Sequence, residues 1–68
     1  MSHHTYKKIE IIGTSTLSIE DAINNAIGQA AGTVRGLSWF EVVETRGTIG
    51  EGHVTHWQVT VKIGFTID

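Results

Sequence analysis

The stretch "WQVTVKIGFTI", Trp57 to Ile67, puts apolar residues at every odd position and Gln58, Thr60, Lys62, Gly64 and Thr66 at the even ones. Alternation sustained this long predicts a β-strand with one face on a core and the other on something polar. Just upstream, "TIGEGH" is glycine-rich and places a turn around Gly50 to Gly52. Before that turn, "LSWFEVVETRG", Leu37 to Gly47, opens a second strand that runs from about Leu37 to Ile49. The two strands form a hairpin. In it Phe40 and Val42 are expected to point to the core, which leaves Trp39 on the opposite face.

Further back, "SIEDAINNAIGQAAGTVRG" carries apolar residues at Ile19, Ala22, Ile23, Ala26, Ile27, Ala30, Ala31 and Val34. That spacing is one face of an amphipathic helix. Ser18 with Asp21 makes a near capping box, Asp standing in for the usual Glu. Gly36 fits a C-terminal cap just past Arg35, whose charge suits the negative end of the helix dipole. Gly28 and Gly32 lie on one side of the helix, and a close packing contact is a reason for them. At the start, "TYKKIEIIG", Thr5 to Gly13, alternates Ile9 and Ile11 against Lys8 and Glu10 and reads as a strand. The fold class is therefore α+β: a single domain over residues 1–68, in the order β-α-β-β, with a three-stranded antiparallel sheet packed on one helix. A lone helix cannot cover three long strands, so the uncovered face and the sheet edges must meet water or other subunits.

Size points the same way. A chain of 68 residues buries only about 60% of its unfolded surface, and small scaffolds need a staple. There are no cysteines, which excludes disulfides and thiolate metal sites. Oligomerisation is the staple that remains. The net charge is −2, and the basic residues form no stripe of the kind nucleic-acid binding requires. No apolar run approaches the roughly 20 residues of a membrane span, and no signal peptide is visible, so the expected location is cytoplasmic. His3 and His4 carry no weight here.

Most candidate sites dissolve on inspection. His53 and His56 are three apart, which in a strand means opposite faces, and too few further ligands of the right type accompany them for a zinc site, unless a symmetry axis gathers copies from several subunits. "RGTIGEG" matches neither a dinucleotide nor a P-loop fingerprint, and the hairpin turn explains its glycines. Within it Arg46 is the one residue able to grip an anion in bidentate fashion. Glu41 and Glu44 are expected on opposite faces, so they form no acid/base pair. Nothing suggests a catalytic residue. Trp39 and Gln58 differ: an aromatic plate beside a carboxamide on the polar face suits a planar heterocycle, whose edge the amide can read. The competing reading is that Trp39 buries itself in a subunit interface, and spacing alone favours that one.

The segments "YKKIEIIGTS" (6–15), "WFEVVETRGTIG" (39–50) and "WQVTVKIGF" (57–65) resemble the dodecins, and with the intervening helix the likeness covers nearly the whole chain. The dodecins are small flavin-binding proteins of β-α-β-β fold that form hollow dodecamers. The resemblance reverses the balance on Trp39. It implies flavins bound in pairs at a twofold subunit interface, stacked between tryptophans. Trp39 stands at the stacking position, Gln58 at the residue that hydrogen-bonds the pyrimidine edge, and Arg46 at an arginine near the phosphate of flavin mononucleotide (FMN). FMN is the expected cofactor, with riboflavin or FAD as alternatives. Several bacterial members carry an arginine after the "GF" of the last strand where this chain has Thr66, which leaves the choice of flavin open. Some also bind coenzyme A, but no residue set here carries that over. The implied function is flavin storage and photoprotection without turnover. The alternatives are a flavin-dependent redox enzyme and a structural shell that has lost its flavin site.

Overall fold

The computed structural model describes residues 3–67. The chain runs β1 (Tyr6–Ser15), α1 (Ile19–Ala31), β2 (Leu37–Gly50) and β3 (His53–Thr66). All pairings are antiparallel, and β3 lies in the middle, in the order β1-β3-β2. The strand with the clearest alternation is thus the one buried between neighbours. Its odd face supplies Val59, Val61 and Ile63 to the core, against the helix stripe Ala22, Ala26 and Ala30. The alanines let helix and sheet approach closely, and the isoleucines Ile19, Ile23 and Ile27 close the sides. The tightest point is Gly13 on β1, where an added Cβ would strike the Ala22 carbonyl oxygen and lie 2.8 Å from Ala26 Cβ.

Local chemistry fixes the ends of the helix. Ser18 is its N-cap and accepts a hydrogen bond from the Asp21 backbone N–H at 3.0 Å. The Asp21 carboxylate does not return to Ser18 as a capping box would. It accepts instead from the Ser15 hydroxyl at 2.6 Å, and Ser15 Oγ accepts from the Leu17 N–H at 2.8 Å. The end of β1 is thereby tied to the first turn of α1.

The C-terminus departs from expectation. The helix stops at Ala31 with Gly32 as its cap, so Val34 and Arg35 lie outside it. The N–H groups of Thr33 and Val34 both turn back to the Ala30 carbonyl, at 3.0 and 2.8 Å, which closes the last turn. Gly36 is not the cap. At φ +75 it makes the bend into β2, and a Cβ there would lie 2.7 Å from Thr66 Oγ1. Nor do Gly28 and Gly32 mark a close contact. Nothing lies within 4 Å of where a Gly28 Cβ would be, and Gly32 meets only the Gln29 carbonyl at 3.4 Å.

Helix α1 packs mainly on β1 and β3. Phe40 and Val42 do share a face with Ile63 and Val61, their cross-strand partners. The helix does not cover them, however, and they remain 47% and 46% exposed. The expectation that they enter the core is corrected on that point. Ile49 and Val54 are also exposed, farther along the hairpin, whose tip turns through Glu51 and Gly52 at φ 54 and 82. Such paired positive angles define the tight hairpin turn that matches strand twist. The molecule measures 56 × 20 × 14 Å with a radius of gyration of 14.2 Å. A compact chain of this length has about 11 Å, so the long hairpin stands out as an arm with apolar side chains and no cover.

Candidate functional site

Cross-strand partners in an antiparallel sheet point the same way, so the register gives the face opposite the helix row by row. Lys8, Gly64 and Trp39 form one row, and Glu10, Lys62 and Glu41 the next. Ile12, Thr60 and Glu44 follow, then Thr14, Gln58 and Arg46. Beyond these, on the hairpin arm, Thr48 pairs with His56.

One irregularity makes this arrangement possible. Trp39 and Arg46 are an odd number of residues apart, which in a regular strand sends them to opposite faces. Between Val42 and Glu44 the register slips, because β3 has no partner for Val43. This β-bulge shifts everything after it by one residue. Glu44, Arg46 and Thr48 therefore join Glu41 and Trp39 on the open face. The sequence reading that set Glu41 and Glu44 on opposite faces is corrected by the bulge. They still form no acid/base pair, since Glu41 is engaged by Lys8 Nζ at 3.0 Å.

At one end of the face, Trp39 lies flat across Gly64. A Cβ on Gly64 would fall among the indole carbons Cδ2, Cε2 and Cζ2, so the glycine is what lets the ring lie there. Tyr6 stands beside the indole, ring centroids 6.3 Å apart and planes tilted by 59°. Lys8 Nζ lies 5.9 Å from the ring centroid, within reach of a cation–π contact. Held on these sides, the indole is still 40% exposed. A large aromatic ring supported on its back and open in front is a stacking platform.

At the other end, Arg46 Nε donates to Gln58 Oε1 at 2.9 Å. Because an arginine nitrogen only donates, this bond fixes the sense of the carboxamide. The Gln58 NH₂ group and the terminal guanidinium nitrogens of Arg46 remain to face outward as donors. Gln58 and Arg46 are thus brought together, but Trp39 and Gln58 are not neighbours as the sequence reading had them. Gly64, under the indole, is six residues from Gln58 (64 − 58). At about 3.4 Å per residue that is roughly 20 Å, longer than a three-ring heterocycle. Thr66 pairs with Tyr6, at the indole end and not beside Arg46.

His53 and His56 remain apart. The His53 ring contacts the Glu51 carbonyl at 3.2 Å, and His56 lies against Thr48 and Thr55. Among the described residues no group of three metal-ligating side chains converges. None of the described helices is long and apolar enough to cross a membrane.

The chain is thus an elongated β-α-β-β protein of the α+β class, with an exposed indole and an arginine-ordered carboxamide on the sheet face that its helix leaves uncovered. The chain belongs to the dodecin family, whose model matches residues 5–68. It is 49% identical over 63 residues to the dodecin of Thermus thermophilus, an overlap of 93% of this chain and 91% of that one. The dodecin of Streptomyces coelicolor superposes with a TM-score of 0.94 at 47% identity, covering 100% of this chain and 97% of that one. The dodecin of Streptomyces davaonensis gives a TM-score of 0.93 at 49% identity, with 98% of each chain covered.

Proposed function

We propose that this protein binds flavins without turning them over, in a hollow dodecamer whose copies jointly build each site. The observation that carries the reading is the separation of Trp39 from Gln58 on one open face. A ring stacked on the indole of one copy is too short to reach the carboxamide of the same copy. The indole and the amide that serve one ligand therefore come from different copies. The exposed apolar arm and the elongated shape support assembly independently.

The residues present fit such a ligand. Trp39 supplies a flat apolar plate that Gly64 holds rigid from behind, so little side-chain freedom is lost on stacking. The Gln58 amide, oriented by Arg46, offers N–H donors to ring carbonyls. The free edge of Arg46 offers charge to an anionic tail. A bound flavin brings photochemistry, and an indole in contact with its excited ring quenches it. Storage and photoprotection are the functions that follow. The acid–base groups beside the indole are Tyr6 and Lys8, and Lys8 is held in an ion pair with Glu41.

Titration of riboflavin and of FMN with the apoprotein tests this, with flavin fluorescence and oligomer mass as readouts. Saturable quenching near one flavin per chain is expected. Trp39→Ala should abolish most of it and leave the assembly intact. An intact oligomer that quenches neither flavin would overturn the reading.

A further inference from the structure

Charge stands beside the stacking plate as well as aromatic surface. Lys8 on β1, Gly64 on β3 and Trp39 on β2 share one row, and the indole lies across Gly64. Lys8 Nζ is 5.9 Å from the ring centroid. The same ammonium donates to Glu41 Oε1 at 3.0 Å. Glu41 follows Trp39 on the same face of β2, in the row that also holds Lys62 and Glu10. Lys8 and Lys62 thus face Glu41 and Glu10 over two adjacent rows, and Glu44 lies a row farther on, beside Thr60. The indole sits at the lysine end of the Lys8–Glu41 pair. Tyr6 supplies a tilted ring contact there rather than a charge.

We infer that the Lys8–Glu41 ion pair tunes the indole: Lys8 makes Trp39 harder to oxidise, and Glu41 offsets much of that effect. The inference rests on the flavin-binding reading and deepens it, because quenching by an indole is an electron transfer. One electron passes from the indole to the excited ring and then returns, so no further oxidant or reductant is consumed. Between the two steps the indole carries a positive charge. A neutral indole attracts an ammonium through its π system, whereas the oxidised ring repels it. Lys8 therefore favours the resting ring. At the observed distance a unit charge shifts that balance roughly threefold at the dielectric of water, and further across protein. The Glu41 carboxylate acts with the opposite sign. Bound to the ammonium, it turns a lone cation into a dipole, whose influence on the ring is weaker. Both side chains are about half exposed, and an ion pair of this kind contributes little to stability. Removing either charge therefore leaves the plate in place and uncovers the electrostatic effect. Lys8 and Glu41 are positioning residues of charge, acting through Trp39.

The test reads Trp39 first without any flavin. A Tyr6→Phe/Trp57→Phe background keeps the ring beside the indole and leaves Trp39 as the one tryptophan, with no tyrosine. Voltammetry of the assembled apoprotein gives the one-electron potential of Trp39. Lys8→Met should ease oxidation about threefold, a fall of roughly 30 mV, and Glu41→Gln should raise the potential by a similar amount. Lys8→Arg, which keeps the cation, should match the parent, and Lys8→Met/Glu41→Gln should return close to it. The fluorescence lifetime of bound riboflavin, measured in the same set, should move in opposite directions in the two single variants. Shifts of the same sign in Lys8→Met and Glu41→Gln, summing in the double variant, would mean that the pair only props the ring and would overturn the inference. So would a potential unaltered in every variant. If the parent does not quench riboflavin, the flavin reading fails by itself, and the apoprotein potentials still decide the tuning.

Discussion

Gly64→Ala tests whether the indole is held as a plate. The backbone of β3 at this position is that of an ordinary strand, with no positive φ, so alanine should by itself stabilise it by about 0.5–1 kcal/mol over glycine. Trp39 reverses that sign. The new methyl would occupy the space of the indole carbons Cδ2, Cε2 and Cζ2, and overpacking of this kind costs about 1–3 kcal/mol. Gly64→Ala should therefore be neutral to destabilising by roughly 2 kcal/mol alone, yet stabilising in a Trp39→Ala background. The coupling between the two positions should equal the overpacking term, about 1–3 kcal/mol. Denaturant unfolding of the four apoproteins measures it, at fixed chain concentration because assembly contributes to apparent stability. Flavin affinity should fall in Gly64→Ala as the ring tilts off its seat. Equal effects of Gly64→Ala in both backgrounds would refute the reasoning, for they would mean that Trp39 does not rest on Gly64.

Three further substitutions probe other parts of the structure. Gly13→Ala drives a methyl against the Ala22 carbonyl oxygen and the Ala26 side chain, lifting the helix from β1; a loss of about 1–3 kcal/mol or more is expected in thermal or denaturant unfolding. Lys8→Met breaks a 3.0 Å ion pair whose side chains are 47% and 51% exposed, so stability should change by under ~1 kcal/mol, and by less still in high salt. Arg46→Ala removes the bond that orients Gln58, so riboflavin, which has no phosphate, should also bind more weakly, by roughly fivefold for one hydrogen bond. Riboflavin affinity untouched by Arg46→Ala would show that Gln58 is oriented by something else.

What the sequence revealed, and what it hid, divides along physical lines. The alternation of β3 and the Ile/Ala periodicity of α1 are consequences of burial, and burial is written into residue type. The hairpin turn was legible because glycine answers to backbone angle. The end of α1 was not, because "AGTVRG" offers two glycines, and the Ala30 carbonyl closes the last turn at the first of them. The inward assignment of Phe40 and Val42 had the right face and the wrong burial, since periodicity does not say how far one helix reaches. The bulge at Val43, and the one at Thr55, which has no partner on β2, left no mark at all. A valine and a threonine are ordinary strand residues, and a bulge shows only in the register against a partner strand. The individual site residues were therefore named without the means of knowing which of them touch.

That last gap has a functional meaning. Without the Val43 bulge, Arg46 would lie on the helix side of the sheet, and Gln58 would lose the donor that sets its amide. The same inserted residue keeps Arg46 on the face of Trp39 and Gln58, while the length of the strands keeps the indole and the amide apart. A site that needs both an indole and a carboxamide cannot close within such a protomer, however the side chains turn. In the proposed assembly the open faces of copies offset along the strands would meet, and each ligand would then bridge copies as well as occupy them. Binding and assembly would thereby share one free energy, since whatever favours the joined copies also favours the completed site. On that proposal the largest aromatic residue of the open face lies outside its own core because Trp39 packs against Gly64 at its back and a second chain would complete its open side.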